Sequence, residues 1–362
     1  MTLSLSMAEL VARARGDLRM GVPVILRDGT TSYLMAAAET LTTERLADLQ
    51  SIGQPAVAIT RHRADTLKAR AYDGDIARIA VGSDMSVGWI RALADPADDM
   101  NAPMKGPFQS LRQGNADPHR AAITLAKTAR LLPAVLLVEL SDAALAALDP
   151  DLTKMDVAQL GDMLDQDMHL NHVSSAKVPM ALANAGRLHV FRPDDGGEEH
   201  YAIEIGRLDT SAPVLTRLHS ACFTGDILGS LKCDCGPQLH TALKEINANG
   251  SGILLYLNQE GRGIGLANKM RAYSLQDQGF DTVEANHRLG FEDDERDFRI
   301  GAQILAQMNV NAVQLLTNNP AKVAMMQANG IDVTDRVPLK VETNALNADY
   351  LATKAKKSGH LL

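Results

Sequence analysis

The chain has 362 residues, of which 46% are hydrophobic and 22% charged, and its formal net charge is −8 at pH 7. This composition is typical of a globular protein with more residues than one core accommodates, so it predicts two domains. The negative charge argues against a general nucleic-acid binder, and the lack of a long apolar stretch or secretory signal argues against a membrane or exported protein, so we expect a cytoplasmic chain without nucleic-acid or membrane partners.

The first half of the chain alternates apolar runs with helical patterns. The runs at 21–29 ("GVPVILRDG") and 56–60 ("AVAIT") predict short buried strands. The segment 119–132 ("HRAAITLAKTARLL") has the apolar spacing of a helix, and it leads into a further strand at 134–140 ("AVLLVEL"). Alternating strands and helices of this kind indicate an α/β domain.

Polar and turn-forming residues interrupt this pattern in the middle of the chain. They crowd the stretch that runs from "LGDMLDQDMHLNHVSSAKVPMA" to "FRPDDGGEEH". Boundaries between domains fall in stretches of this composition. We therefore expect a first domain at 1–171 and a second at 172–362.

The second half has more sharply bounded elements. Gly236 and Pro237 precede the helical pattern "QLHTALKEI", and "GILLYL" at 252–257 predicts a central strand. The loop "NQEGRGIG" leads into another helical pattern, "LANKMRAYSLQDQG", and "AVQLLTNNP" predicts a strand and turn before a helix that begins at Pro320. We expect two three-layer α/β domains, each a mixed sheet flanked by helices, with anion sites where strands end and helices begin.

All three cysteines of the chain, Cys222, Cys233 and Cys235, lie in one short segment with the spacing C-x10-C-x-C. An odd number of clustered cysteines in a reducing compartment indicates a metal site or a reactive thiol rather than a disulfide framework. Three thiolates bound to zinc leave one position open for water, as in catalytic zinc sites. Two alternatives stay open at this point: His219 or His240 could complete a structural site, or the cysteines could be small buried hydrophobic residues.

Several motifs around these cysteines occur in a recognisable order. They are "RLHSACFTGDILGSLKCDCGPQL", "GILLYLNQEGRGIGLANKMRAYSLQDQGFDTVEANHRLGFEDDERDF" and "LLTNNPAKV". Together they resemble the GTP cyclohydrolase II family, from about Ser175 to the terminal "KKSGHLL". The resemblance covers essentially the whole second half of the chain, and it implies the cyclohydrolase II fold there.

This resemblance implies an enzyme that hydrolyses GTP in the first step of riboflavin biosynthesis. The products would be 2,5-diamino-6-(5-phospho-ribosylamino)pyrimidin-4(3H)-one, formate and pyrophosphate. Cys222, Cys233 and Cys235 would bind one catalytic zinc per subunit, which activates water for attack at C8 of the guanine ring. Magnesium would accompany the GTP phosphates, and the chain would form a homodimer.

The resemblance also implies roles for individual residues. Tyr273, Asp294 and Arg296 match the family's catalytic positions, Asp294 as proton acceptor and Arg296 as nucleophile toward the α-phosphate. A guanidinium is rarely deprotonated, so the alternative role for Arg296 is to stabilise the charge that develops as pyrophosphate leaves. The remaining matched residues are expected to line the GTP site: Arg217, Leu218, His219, Ser220, Ala221, Gln238, Glu260, Gly261, Arg262, Thr282, Thr317 and Lys322.

Two of these motifs carry little information without the family. "GRGIG" alone indicates an ordinary glycine turn, because it is neither a Walker A loop nor a complete dinucleotide-binding fingerprint. "FEDDERDF" alone indicates a charged helix face exposed to solvent.

The first half resembles a degenerate 3,4-dihydroxy-2-butanone 4-phosphate synthase. "LMAAAE" is kept, but the acidic stretch that normally precedes it, which binds magnesium and removes a proton, is replaced by "RDGTTSY". His119 stands where that family has a metal-binding histidine, but the glutamate that usually follows is absent. We therefore expect a folded, inactive domain that serves in dimerisation or solubility or binds a regulator.

Two other functions stay open from the sequence. The chain could be a homologous ring-opening hydrolase that acts on another nucleotide or stops at a formamidopyrimidine. It could also be a nucleotide sensor without catalytic activity. The uneven loss of chemical residues, confined to the first half, argues against a wholly inert protein.

Overall fold

The structure is a computed structural model that describes residues 4–97, 99–100, 103–165 and 169–341. The C-terminal segment "ALNADYLATKAKKSGHLL", which we expect to become ordered with substrate, lies outside the described residues. Among the described residues, no helix is both long enough and apolar enough to cross a membrane.

The described residues divide into two compact units. The first unit falls within Met1–Gln166 and Ala267–Asp294, and the second within Asp167–Leu266 and Glu295–Leu362. A piece of the second half of the sequence thus packs with the first half. The assignment of two family domains with a boundary near residue 172 stays a prediction, since these units reflect packing and not family membership.

Thirteen strands and twelve α-helices are found in the described residues. The strands are β1 (Val24–Asp28), β2 (Thr31–Ala37), β3 (Ala56–Thr60), β4 (Ile76–Ala80), β5 (Ala134–Leu140), β6 (Lys154–Asp156), β7 (Leu170–Met180), β8 (Ala183–Pro193), β9 (His200–Ile205), β10 (Val214–Ser220), β11 (Gly252–Leu257), β12 (Ala312–Leu316) and β13 (Asp332–Val337). The helices are α1 (Met7–Arg19), α2 (Thr43–Ile52), α3 (Arg61–Leu67), α4 (Val87–Ala94), α5 (Asp117–Thr128), α6 (Asp142–Ala147), α7 (Val157–Asp165), α8 (Cys235–Asn249), α9 (Leu266–Asp277), α10 (Thr282–Leu289), α11 (Arg299–Gln307) and α12 (Pro320–Ala328).

The first unit contains a mixed six-stranded sheet in the order β4-β3-β5-β2-β1-β6. β1 and β6 are parallel, and the other neighbours are antiparallel. On the central strand β5, Val135 and Leu137 pack into a core with α1, α5 and α7. Leu136 and Val138, which point to the opposite face, are also buried. The sheet is therefore covered on both faces, as in a three-layer domain.

The second unit contains a mixed seven-stranded sheet in the order β13-β12-β10-β11-β9-β8-β7. One face packs against α11 and α12, and the other against α8. β10 is parallel to both of its neighbours, β11 and β12. Because the carboxyl ends of parallel neighbours lie at the same edge, residues that follow these three strands are brought together there.

The predicted α/β class and the mixed sheets are confirmed. The apolar runs "AVAIT", "AVLLVEL" and "GILLYL" form β3, β5 and β11. The antiparallel strands β7 and β8 were not predicted, because β7 is mostly exposed and its sequence lacks an apolar run.

The expectation of a charged helix face at 291–298 ("FEDDERDF") is wrong. This segment is a loop, and α11 begins only at Arg299. The Glu295 N–H of this loop donates to the Arg262 carbonyl at 2.9 Å instead of to a helical partner, and the Asp297 carboxylate accepts from the Arg299 N–H at 2.9 Å at the start of α11.

Candidate active site

The three cysteines converge at the carboxyl end of β10. Cys222 begins a single π-helical turn (Phe223–Ile227), Cys233 lies in the following turn, and Cys235 starts α8. Their sulfur atoms all lie within 4.8 Å of one another, and the Cys222 and Cys233 Sγ atoms are 3.8 Å apart. Zinc–sulfur bonds of about 2.3 Å in a tetrahedron place sulfur atoms about 3.8 Å apart, so the cluster has the dimensions of a zinc site.

Gly225 shapes the pocket beside these sulfur atoms. A Cβ at this position would lie 2.8 Å from the Cys233 Sγ and 3.1 Å from the Cys222 Sγ, so any larger residue would fill the space. The Gly225 N–H also donates to the Cys222 Sγ at 3.3 Å. A backbone donor of this kind favours a thiolate, which is the form that binds metal.

Histidine does not complete the cluster. Among the described residues, the only group of three or more close metal-ligating side chains is the cysteine set. His219 instead directs its Nε2 to the Asp226 carboxylate at 3.0 Å, and His240 is exposed on α8. A site with three protein ligands, as in catalytic zinc centres, is therefore the arrangement that the geometry favours.

Asp226 fixes the loop that carries the first cysteine. Its buried carboxylate accepts from the Cys222 N–H at 3.0 Å and from the Tyr256 hydroxyl at 2.9 Å, and it contacts His219. Burial lowers the pKa of His219, and burial together with the nearby Asp226 charge raises the pKa of Tyr256. The network therefore holds a neutral phenol and a single buried carboxylate behind the cysteines.

Buried cations lie at the same edge of the sheet. Arg217, on β10, donates to the Leu316 carbonyl at 2.9 Å and to the Gln238 side chain at 2.6 Å. Its buried Nε has no partner among the described residues. Burial lowers the pKa of Arg217 to about 10, so the side chain is still charged at neutral pH. Lys322, in the first turn of α12, is 7% exposed and donates to the Leu218 carbonyl at 3.1 Å.

The loop after β11 contributes an unusual backbone. Gly261 and Arg262 both have positive φ angles, 63° and 62°, and only glycine adopts this conformation without strain. The Glu260 carboxylate accepts from the Phe223 N–H at 2.5 Å and from the Gly261 N–H at 3.0 Å. This loop is therefore joined to the turn that follows Cys222. "GRGIG" is a glycine turn, as its sequence indicates, with an added role in positioning the cysteine loop.

Comparison with known proteins decides the family. Residues 171–338 match the family model described as GTP cyclohydrolase II. A protein of Azospirillum brasilense named GTP cyclohydrolase-2 is 41% identical over 97% of this chain and 93% of its own length. The chain belongs to the GTP cyclohydrolase II family. A GTP cyclohydrolase-2 of Azotobacter vinelandii is 53% identical over 54% of this chain and 93% of its own length.

Two further matches come from riboflavin biosynthesis and from the solved structures. A riboflavin biosynthesis protein RibBA of Bacillus mycoides is 45% identical over 67% of this chain and 64% of its own length. A crystal structure of RibBX, a two-domain 3,4-dihydroxy-2-butanone 4-phosphate synthase from A. baumannii, covers 92% of this chain and 99% of its own at 17% identity, with a TM-score of 0.32. That structural similarity is too low to add to the family assignment.

The second unit brings together most of the residues that the GTP cyclohydrolase II resemblance assigns to substrate. They lie at the ends of β10, β11 and β12 and at the starts of α8 and α12, and Arg296 donates to the Ser220 hydroxyl at 3.3 Å. The members within this unit are Arg217, Leu218, His219, Ser220, Ala221, Gln238, Glu260, Gly261, Arg262, Arg296, Thr317 and Lys322. Tyr273, Thr282 and Asp294 belong to the first unit, on α9, on α10 and in the loop after α10.

Sequence reasoning missed Asp226 and Tyr256. Asp226 lies in the quoted cysteine motif, four residues after Cys222, but an aspartate in a turn has many ordinary explanations. Tyr256 is the only polar residue of the apolar run "GILLYL", and a buried tyrosine needs a partner for its hydroxyl. That demand was the one signal in the sequence that pointed to it.

Proposed function

We propose that this protein is a zinc-dependent hydrolase that converts GTP to 2,5-diamino-6-(5-phospho-ribosylamino)pyrimidin-4(3H)-one, formate and pyrophosphate. The observation that carries the proposal is the cysteine cluster, which has zinc dimensions and lies beside buried cations at the edge of the mixed sheet where the parallel strands β10, β11 and β12 end. Membership of the GTP cyclohydrolase II family and the named riboflavin biosynthesis relatives support the substrate and the pathway.

Cys222, Cys233 and Cys235 are the proposed zinc ligands, one ion per chain. Zinc in this position supplies Lewis-acid activation of water, which hydrolysis at an electron-poor ring carbon requires without a redox cofactor. The protein's own contribution is to hold three thiolates in place. Asp226 does this by binding the Cys222 N–H, and Glu260 by binding the next N–H, that of Phe223.

The triphosphate is the part of GTP that needs positive charge. Arg217 and Lys322 are buried and still bonded to backbone carbonyls, so they supply a fixed positive field rather than mobile contacts. Arg262 and Arg296 are less buried, and we propose that they bind phosphate oxygens directly. We propose that magnesium binds with the phosphates and completes their neutralisation.

Tyr273, Asp294 and Arg296 are the proposed catalytic residues. Tyr273 would bond the reacting base, and Asp294 would accept a proton. Arg296 lies over the Phe298 ring at 4.8 Å and donates to the Ser220 hydroxyl, and a guanidinium is rarely deprotonated in proteins. We therefore propose that Arg296 stabilises the charge that develops on the leaving pyrophosphate. A guanylyl adduct that disappears in Arg296→Ala would support covalent attack instead.

We propose that the first half does not make butanone phosphate. His119 is 5% exposed, and its Nδ1 has no hydrogen-bond partner among the described residues. Burial, with a smaller contribution from the nearby Arg78 charge, lowers the pKa of His119 to about 4. The histidine therefore stays neutral at pH 7, and the described residues place no second cluster of metal-ligating groups around it.

The proposal is tested with purified protein prepared in metal-free, zinc-loaded and magnesium-supplemented forms. GTP is added, formate release is followed, and the pyrimidine product is identified by mass spectrometry. Formate release that is lost on chelation, is restored by zinc in the presence of magnesium, and is not restored by magnesium without zinc is the expected result. No formate from any form would overturn the proposed function. A formamidopyrimidine product would replace it with the truncated reaction. The same preparations measured by light scattering test the proposed homodimer.

A further inference from the structure

The segment Ala267–Asp294 belongs to the family's matched region but packs within the first unit. It consists of α9, α10 and the loop that ends at Asp294. The Azotobacter vinelandii relative aligns over 195 residues, 54% of this chain and 93% of its own length, so it has no counterpart for most of the remaining residues. The contacts of this segment therefore show how residues of the first half support part of the family's matched region.

Arg271, on α9, is held between two carboxylates of the first half. Its Nε donates to the Asp95 carboxylate at 2.9 Å and an Nη to the Glu39 carboxylate at 3.0 Å. Its other Nη donates to the Asn268 side chain at 2.7 Å. All three nitrogen atoms of the guanidinium are thus hydrogen-bonded at once. The two carboxylates therefore restrict the rotation of α9 about its helix axis.

The partners of Arg271 are themselves fixed. The second oxygen of Glu39 accepts from the Leu132 N–H at 2.8 Å. Asn268 is fully buried, and its amide donates to the Arg130 carbonyl at 3.0 Å. Glu39 and Asn268 are thus each bonded to Arg271 and also to backbone of the first half, so this contact is more ordered than an isolated pair of surface charges.

A second contact fixes the end of α10. The Thr60 hydroxyl donates to the Gly290 carbonyl at 2.8 Å in a buried position. Gly290 has a φ of 88°, and a Cβ there would lie 2.8 Å from the Thr60 Oγ1. Beside it, the rings of His62 and His287 stack at 3.9 Å with an interplanar angle of 6°. α3 and α10 are therefore in close and specific contact.

The proposed chemistry of the protein does not use Glu39, Thr60 or Asp95. All three face a segment that carries three proposed site residues. Tyr273 lies two residues beyond Arg271, and Asp294 four residues beyond Gly290. Side chains close to the contacts of Arg271 and Gly290 lose conformational freedom. The correct orientation of catalytic side chains is a large part of catalysis.

We propose that the first half is a positioning platform for the cyclohydrolase reaction: Glu39, Asp95 and Thr60 hold segment 267–294 so that Tyr273, Thr282 and Asp294 are preorganised. This inference rests on the proposed function. It gives the first half a role in the reaction although we propose that this half does not make butanone phosphate.

The test uses full-length, zinc-loaded protein in four variants. Glu39→Gln removes the charge that faces Arg271, Thr60→Val removes the hydroxyl that binds Gly290, and Thr60→Ser keeps that hydroxyl. The control is Asp73→Asn, which disrupts the buried Asp73–Arg78 ion pair within the first half without touching the segment. Hydrogen exchange of residues 267–294, zinc content, and kcat and KM for GTP are measured for each.

We expect Glu39→Gln and Thr60→Val to raise exchange in segment 267–294 and to lower kcat by roughly 10- to 100-fold. Zinc content should change little, because the cysteines lie outside the segment. KM should rise less than kcat falls, because most of the proposed GTP-site residues, Arg217 and Lys322 among them, also lie outside it. Thr60→Ser and Asp73→Asn should resemble the unmodified protein. Unchanged exchange and kcat in both test variants, or an equal loss in Asp73→Asn, would overturn the platform. If the unmodified protein releases no formate, the proposed function fails, and the exchange data alone decide whether the anchors hold the segment.

Discussion

The surroundings of the three cysteines in the second unit and of His119 in the first unit differ in how many of their polar side-chain atoms have hydrogen-bond partners. Behind the cysteines, the Asp226 carboxylate contacts His219, Tyr256 and the Cys222 backbone. The His119 ring is in edge-on contact with the Tyr33 ring, and its Nδ1 has no hydrogen-bond partner in the described part of the chain. The difference teaches that a buried histidine does not make a metal site unless further ligands lie beside it.

The largest expected effect is loss of the zinc site. Cys233→Ser replaces a thiolate with a weaker, mostly protonated hydroxyl ligand, so zinc content and formate release should both fall, the rate by at least about 1,000-fold. Metal analysis and the GTP assay check this. Ser230→Ala, a change in the same loop that removes no proposed ligand, is the matched control. Full activity in zinc-free Cys233→Ser would contradict the role of the cluster.

A smaller loss is expected when the support behind the cysteines is weakened. Asp226→Asn presents an amide N–H where Tyr256 or the Cys222 N–H now donates, so we expect kcat to fall by roughly 100-fold. Tyr256→Phe removes one donor and leaves the carboxylate bound to Cys222. Its kcat should fall by roughly tenfold or less. Steady-state kinetics on both variants test this order, and a larger loss in Tyr256→Phe would show that the phenol itself has a role in the reaction.

The burial of His119 also predicts that the free energy of unfolding depends on pH. The pKa of His119 is about 4 in the folded chain and near 6.5 when unfolded, so only the unfolded chain binds this proton between those pH values. The stabilisation is complete above pH 6.5 and is lost as the pH falls toward 4, by roughly 3 kcal/mol in total.

Denaturant unfolding of the first unit at several pH values measures this dependence. His119→Leu should flatten the decline between pH 6.5 and 4 and should leave GTP hydrolysis at pH 7.5 unchanged. An identical decline in both proteins would show that other groups titrate in this window and that the environment of His119 is not as the structure has it.

The last prediction is that no synthase activity is detected. Ribulose 5-phosphate, incubated with the protein and magnesium, should give no butanone phosphate above background, because the described residues place no cluster of metal-ligating groups around His119. Product analysis by mass spectrometry tests this, with an active synthase as positive control. Formation of butanone phosphate at the rate of that synthase would show that the His119 region is also an active site.

Much of this arrangement could be read from the sequence, since strands such as "GILLYL" are long apolar runs and the cysteine spacing is local. The strands β7 and β8 could not, because most of β7 faces solvent and apolar periodicity is weak there. The role of Asp226 depends on Tyr256, thirty residues away in the chain. The contact of Arg271 with Glu39 joins residues 232 positions apart, and one sequence contains no signal for such a pair.

The measurement that tests the central claim most directly is the ratio of formate to pyrophosphate released from GTP by zinc-loaded protein. The account predicts one formate per pyrophosphate, with both products lost in Cys233→Ser. Pyrophosphate without formate, from protein with a full zinc content, would contradict it and would reduce the reaction to cleavage at the phosphates.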